Sequence, residues 1–213
     1  IFGGGIWFGA LKRVGDTLRK MAVISYNPNS GTSWMVPGRI TQPIAQSVTD
    51  ETPAGVSKNR IYFSSDYNTF TGEPFDNRDR TTGGPNWPLW DTNPADTLKV
   101  NRYLGYYVDD MTMRNRSTYS KGPAMISQED IFSTFKDTDL GRYEIGKGLA
   151  QRQGYPLGIQ VEQTIYSWGF GQYKDFIFLK YDIINQSSDT LFDCVMAPAM
   201  DMDIGAPAND HTS

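Results

Sequence analysis

Residue types and patterns that would indicate a chemical activity are scarce in this sequence. Its 213 residues include one cysteine and one histidine. No disulfide can therefore form within the chain, and we expect neither a histidine-based catalytic triad nor a multi-histidine zinc site. Cys194 falls in a predicted strand, where we expect a buried, inert thiol. Because a Gly-x-Ser-x-Gly motif, a phosphate loop and a nucleotide fingerprint are also missing, we expect no enzyme.

Positive charge and long apolar runs are scarce as well. The net charge is −4 at pH 7, whereas nucleic acids and anionic membranes bind basic surfaces. The apolar runs are far shorter than the roughly 18 residues that a membrane-spanning helix needs. We therefore expect no nucleic-acid partner and no membrane insertion.

Glycine, proline and aromatic residues are abundant. The chain has 21 glycines and 12 prolines, and 13% of its residues are aromatic. Many turns combined with many large flat side chains are typical of β-sandwiches and barrels. We predict one all-β domain over residues 1–213, a two-sheet antiparallel sandwich of jelly-roll or immunoglobulin-like kind. Because the sequence begins at Ile1 without a methionine, either a signal or pro-segment has been removed or the chain is part of a longer protein.

The clearest strand pattern lies in the C-terminal third. Residues 157–168, 175–185 and 191–197 are rich in β-branched and aromatic residues and are separated by turns. Short turns between them predict an antiparallel meander. The middle run is apolar on both faces, which predicts a central strand covered on both sides.

A hairpin is predicted near the N-terminus. Its strands are residues 6–13 and 18–26, joined by a turn that contains Gly15 and Asp16. The glycines at 3–5 either form a flexible lead-in or allow another backbone to pass close.

One short helix and two long loops complete the predicted elements. The helix runs from Ser127 to about residue 136, with Ser127 as N-cap and Asp130 in the first turn. Residues 27–58 and 65–98 show little periodicity and contain many turn residues. Loops of this length are often functional or packed by their own side chains.

Acidic residues near the C-terminus form a candidate metal site. Asp201 and Asp203 are two residues apart at a strand end, so both side chains can point to one side, and Asp210 follows. Oxygen ligands close in sequence suit Ca²⁺, although the EF-hand pattern is missing. The alternative is that these carboxylates cap turns or are solvated. Residues 137–141 have a similar local pattern and are a second, weaker calcium candidate.

Three tryptophans and four acidic residues are candidates for carbohydrate chemistry. Trp34, Trp87 and Trp90 lie in predicted loops, where exposed rings could stack on sugars; the alternative is that they close the ends of the sandwich. A glycoside hydrolase needs two carboxylates at a defined separation, which the sequence does not give. The acidic candidates are Glu129, Asp130, Glu162 and Asp175.

Three blocks carry a family resemblance: residues 1–10, 175–188 and 200–205. Their sequences resemble those of large uncharacterised surface proteins of Bacteroidota, Chlorobi and related bacteria. Such proteins are often exported by the type IX secretion route. The resemblance covers about a third of the chain. It implies a β-rich protein located outside the cell or on its surface, often as part of a multidomain chain.

Three Asp-Thr-Leu triplets place threonines at predicted turns, at Thr17, Thr97 and Thr190. The simplest interpretation is turn chemistry, in which the aspartate bonds back to the backbone. The triplet also resembles the acceptor for O-glycans on exported Bacteroidota proteins. We therefore keep these three threonines as candidate glycosylation sites.

Together, these features predict an extracellular structural module. It would assemble with copies of itself, or with neighbouring surface proteins, into a filament or a surface layer. The glycine-rich segment at residues 1–10 could pair with the sheet edge of another subunit. The alternative is a module that binds or processes carbohydrate through the loop tryptophans and acidic residues. A calcium-stabilised adhesin domain overlaps the first prediction.

Overall fold

A computed structural model gives the fold. It describes residues 3–27, 33–40, 61–68, 72–75, 86–89, 125–143 and 145–201. The strands are β1 (Gly3–Val14), β2 (Thr17–Ile24), β3 (Val36–Pro37), β4 (Tyr62–Phe63), β5 (Glu129–Lys136), β6 (Ile159–Ser167), β7 (Ile177–Asn185) and β8 (Leu191–Asp201). The α-helix in these ranges is α1 (Lys147–Gln153).

The strands form two antiparallel sheets. The strand order is β2-β1-β8 in the first sheet and β3-β5-β6-β7 in the second, where β4 also pairs with β5. The predicted all-β fold with two antiparallel sheets is therefore confirmed.

By backbone contacts the chain divides into two compact units. The first comprises Ile1–Ala54, Thr134–Val161 and Ile183–Ser213, and the second comprises Gly55–Ser133 and Glu162–Asp182. Each unit has buried side chains of its own.

The predicted N-terminal hairpin is confirmed in the first unit. Val14 pairs with Thr17, which leaves Gly15 and Asp16 as a two-residue loop. Gly15 has a φ of +60°, as glycine does at the first position of a tight hairpin turn. Alternate side chains of both strands are buried, namely Ile6, Phe8 and Ala10 of β1 and Met21 and Val23 of β2.

The glycines at the start of β1 make room for side chains of the segment that follows β2. A Cβ atom at Gly3 would lie 2.5 Å from the Tyr26 ring, and one at Gly5 would overlap the Ser25 hydroxyl. β1 pairs with β2 on one side and with β8 on the other. The prediction that residues 1–10 supply a strand to another subunit is therefore wrong, because β1 is the central strand of its own sheet.

The predicted meander holds for its first two strands only. β6 and β7 are neighbours, but β8 pairs with β1 in the other sheet. Lys12 of β1 explains part of this path, because its ammonium group lies 2.9 Å from the carboxylate of Asp189 in the turn before β8. Sequence pattern alone does not show which sheet a strand joins.

The predicted helix at 127–136 is wrong, since Glu129–Lys136 forms β5. Asp130, Phe132 and Lys136 are buried, which follows the two-residue period of a strand. Asp130 does not support a helix start; its carboxylate accepts the backbone N–H groups of Ile126 and Ser127 in the preceding turn. The aromatic and β-branched residues of this segment favour a strand.

The helix comprises Lys147–Gln153 instead. It begins after Gly146 and ends at Gly154, which has a φ of +101°. The N–H of Gly154 bonds to helix carbonyl groups, as in a glycine-capped helix end.

A buried carboxylate fixes the chain before β6 in the first unit. Asp137 has no exposed surface, and its side chain accepts the backbone N–H groups of Leu157, Gly158 and Ile159 at 2.7, 3.0 and 2.9 Å. Burial raises the pKa of Asp137 to about 6, against the lowering effect of these bonds. Lys12 holds the same segment through the carbonyl oxygens at 154 and 156, at 2.9 and 2.8 Å.

The second unit contains a small aromatic core. Trp87 and Tyr67 meet edge to face, with ring centroids 5.5 Å apart. Leu89 and Phe132 complete the buried cluster, and Tyr62 packs against it. Trp87 therefore fixes residues 86–89 to the unit through apolar contact.

Candidate interaction surface

The ends of the sheets are the first places to look for contacts with other chains. An end strand presents a row of backbone donors and acceptors to solvent, so natural proteins protect it with charges, prolines, bulges or short length. In the described part of the chain, β2 and β8 end the strand order of one sheet, and β3 and β7 end that of the other. β4, which pairs with β5 outside this order, has only two residues.

Two of these ends are protected by charge or by short length. β2 carries the exposed side chains of Arg19 and Lys20. β3 has only two residues, and the second is Pro37. Neither strand offers a long uncharged edge to another chain.

β8 is protected by its backbone geometry. The pairing with β1 shifts between Gly9 and Leu11, because Val195 faces Gly9 and Phe192 faces Leu11, which leaves one extra residue in β8. Asp193 lies in this bulge with a φ of +47°. Pro198 follows in the same strand and lacks a backbone N–H donor.

β7 shows none of these protections. It is nine residues long and contains neither a proline nor a residue with positive φ. Among the described strands it pairs with β6 alone. Its successive side chains point to opposite faces, yet Ile177, Phe178 and Leu179 are 66%, 45% and 42% exposed.

Within the described residues, the prediction that β7 is a covered central strand is therefore wrong. The sheet order ends at β7, so its two apolar faces are not enclosed by further strands of the described chain. Apolar residues on both faces indicate that a strand is suited to being covered. They do not say whether the cover comes from the same chain or from another.

Aromatic side chains extend this exposed area into the turn before β7. Trp168 contacts Tyr173 and Phe178, with ring centroids 5.4 and 5.7 Å apart, and Phe176 lies 6.3 Å from Phe178. The N–H of Phe176 bonds to the carbonyl of Tyr173 at 3.1 Å, which holds the turn. We name as the β7 surface the exposed residues Phe170, Tyr173, Phe176, Ile177, Phe178 and Leu179.

Two charges in β7 neutralise each other. Lys180 and Asp182 are two residues apart, so they lie on one face, and their side chains form an ion pair. Tyr181 lies between them on the other face, where partial burial raises the pKa of its hydroxyl. The charges of β7 therefore add no net charge to the strand edge.

The described candidate glycosylation sites are accessible. Thr17 is exposed at the start of β2, and Thr190 is exposed directly before β8. Both positions follow a turn, as the Asp-Thr-Leu pattern predicted. Thr97 lies outside the described residues, and glycosylation at all three positions stays a prediction.

The candidate calcium ligands fall at the edge of the described chain. The backbone of Asp201 pairs with Gly3 at the end of β8, whereas Asp203 and Asp210 lie outside the described residues. Within the described ranges, no group of three or more histidine, cysteine, aspartate or glutamate side chains could hold a metal ion. The calcium site at Asp201, Asp203 and Asp210 stays a prediction.

The carboxylates of the second calcium candidate, residues 137–141, bind backbone N–H groups. Asp137 binds three backbone N–H groups, and Asp139 accepts the N–H of Gly141 at 2.9 Å. Arg142 lies 3.5 Å from the Asp139 carboxylate. Both carboxylates thus accept hydrogen bonds from nearby backbone N–H groups. The sequence did not predict this role for Asp137.

The loop tryptophans do not form a sugar platform in the described chain. Trp87 is 1% exposed and belongs to the core, so it cannot stack on a ligand. Trp34 is partly buried and lies against Tyr143, with ring centroids 5.2 Å apart. Trp90 lies outside the described residues. The exposed aromatic rings lie on the β7 surface instead.

A cleft of about 430 Å³ in the second unit is lined by hydroxyl, amide and apolar side chains. Two of its hydroxyl groups already serve internal bonds. Ser64 accepts the backbone N–H of Asp130 at 2.8 Å, and Ser65 donates to the Glu129 carboxylate at 3.0 Å. Burial raises the pKa of Asp130, whose carboxylate binds the preceding turn. These acidic candidates therefore have structural partners.

Cys194 differs from its prediction. Its thiol is exposed on β8 rather than buried. β8 ends its sheet in the described chain, and the residues from 192 to 198 are exposed together with Cys194.

Comparisons with known proteins found no match for this chain. No family model, curated protein or solved structure matches it. Among the helices of the described residues, none is long and apolar enough to cross a membrane.

Proposed function

We propose that this chain is a structural module that assembles with copies of itself through the edge of β7. The observation that carries this proposal is the contrast among the four ends of the strand orders in the described chain. Three are protected against pairing, and β7 is long, apolar and exposed on both faces. Exposed edges of this kind add strands from other chains, with backbone bonds and apolar contact both contributing.

The location of the module forms part of the same proposal. The resemblance of three sequence blocks to exported surface proteins supports an extracellular or cell-surface filament or layer. The exposure of Thr17 and Thr190 supports glycan attachment at these positions. Intact-mass measurement of the protein from its native source tests this, because added sugar mass should fall when the three threonines are changed to alanine.

Electron microscopy of the untagged protein at neutral pH tests the assembly itself. We expect ordered filaments or sheets whose formation depends on concentration. Sedimentation velocity across the same concentrations should show species larger than the monomer. Monomeric particles at every concentration would contradict the proposal.

A carbohydrate-binding module is the second candidate function. The observation that favours it is the exposed aromatic cluster around Tyr173 and Phe176, which replaces the predicted platform of loop tryptophans. Half-exposed rings suit stacking against sugars. A glycan array should then show binding that Tyr173→Ala weakens without lowering the melting temperature. An array without hits would count against this function and leave the structural proposal in place.

A further inference from the structure

The order of residues in β7 favours a second copy of β7 as the partner. When two identical strands pair antiparallel about a two-fold axis, one residue lies opposite itself and its neighbours pair symmetrically around it. Resting on the proposed function, we propose that two copies pair in this way with Tyr181 opposite Tyr181 of the partner subunit.

This register pairs opposite charges. Lys180 lies opposite Asp182 of the partner subunit, and Asp182 lies opposite Lys180 of the partner subunit. Side chains directly opposite each other in an antiparallel pair lie on the same face and within contact distance. The two ion pairs found within single strands thus become a network of four alternating charges.

The same register pairs apolar residues with apolar residues. Leu179 lies opposite Ile183 of the partner subunit, and Phe178 lies opposite Ile184 of the partner subunit. Phe178 and Leu179 are the exposed members of these pairs, so the contact removes their surfaces from water. Ile177, which is 66% exposed, lies opposite Asn185 of the partner subunit at the end of the paired stretch, so this alignment matches the charges and the two apolar pairs at the centre of β7.

Neighbouring symmetric registers fit less well. Centring on Lys180 or on Asp182 places that residue opposite its own copy, so two like charges meet. Centring on Leu179 places Lys180 opposite Phe178 of the partner subunit. Centring on Ile183 places Asp182 opposite Ile184 of the partner subunit.

The symmetry has a consequence for larger assemblies. A two-fold contact uses the same surface on both copies and closes on itself as a dimer. A filament or layer built from this chain then needs a second, different contact between dimers. The β7 pair is the repeating unit rather than the whole lattice.

Charge exchange across β7 tests this register. Lys180→Glu places the new glutamate opposite Asp182 of the partner subunit, and Asp182→Lys places the new lysine opposite Lys180 of the partner subunit. Each variant alone should therefore dimerise about tenfold more weakly than the unmodified chain. An equimolar mixture should restore a heterodimer, because every opposing pair is then complementary. Sedimentation velocity and native mass spectrometry measure both effects.

Lys174→Glu is the matched control, since it makes the same charge change at an exposed residue outside β7. It should leave dimerisation unchanged, and circular dichroism should show all variants folded. An unmodified chain that stays monomeric would overturn this inference together with the proposed function. An unmodified chain that associates, with single variants unaffected or a mixture that fails to recover, would overturn the register alone.

Discussion

β7 and β8 are both long strands at the end of a sheet, but only one of them is protected. β8 contains a bulge at Asp193 and a proline at position 198, and its apolar side chains are nevertheless exposed. β7 has equally exposed apolar side chains on a regular backbone. The two strands therefore differ in their backbones and not in apolar exposure, and we expect only the regular edge of β7 to pair with another chain.

The proposed assembly uses the native edge of β7 and does not require partial unfolding of the chain. Asp137→Ala separates the two, because it leaves three buried N–H groups at 157–159 without their acceptor. We expect the free energy of unfolding to fall by about 3 kcal/mol. Below the melting transition, the dissociation constant of the assembly should not change.

Thermal and urea unfolding measure the stability, and sedimentation measures association. Asp139→Ala is the control, since it removes one N–H acceptor near the surface and should cost about 1 kcal/mol or less. Stronger association of the Asp137 variant at low temperature would show that unfolding, rather than the β7 edge, causes assembly.

Charges placed on the two edges compare them directly. Ile177→Lys combined with Leu179→Lys buries two unpaired charges in any β7 contact, so association should weaken about a hundredfold. The matched change in β8 is Val195→Lys with Ala197→Lys, which should leave association unchanged. Light scattering over a dilution series measures the association of both double variants. An equal loss of association in the two would contradict the proposed difference between β7 and β8.

Removing the proline of β8 should make that edge more like β7. Pro198→Val restores a backbone N–H donor, and we expect self-association to strengthen about tenfold. The added association should persist when β7 carries the two lysines. If Pro198→Val leaves the dissociation constant unchanged, the proline is not a protective feature.

The smallest expected effect concerns the bulge itself. Asp193 has a φ of +47°, a conformation that glycine adopts with less strain. Asp193→Gly should raise the free energy of unfolding by about 0.5 kcal/mol, while Asp193→Ala should give no gain. Urea unfolding decides this, and a loss of stability with glycine would show that the aspartate side chain supports the bulge.

Local residue patterns were sufficient to predict most strands. Gly15 and Asp16 predicted the first hairpin, and the β-branched runs predicted β6, β7 and β8. The helix prediction failed because Ser127 and Asp130 fit a helix start by spacing but cap a turn in the structure. A side chain that can bond to the nearby backbone fits both a helix start and a turn. The alternating burial of β5 depends on distant parts of the chain, which local patterns do not show.

The interaction surface could be predicted only in part. The apolar faces of β7 were visible in the sequence, but strand order decides whether they are enclosed. The path of β8 into the other sheet also depends on long-range contacts such as that of Lys12 with Asp189. The role of Asp137 had a weak signal, the two aspartates at 137 and 139, which equally fit a metal site.

Hydrogen exchange at low and high protein concentration tests the central claim most directly. Peptides covering β7 and β8 can be followed in one experiment by mass spectrometry. The account predicts that backbone amides of β7 become protected as the protein assembles, while those of β8 exchange at the same rate in both states. Protection that appears in β8, or β7 amides that stay unchanged in the assembled protein, would contradict it.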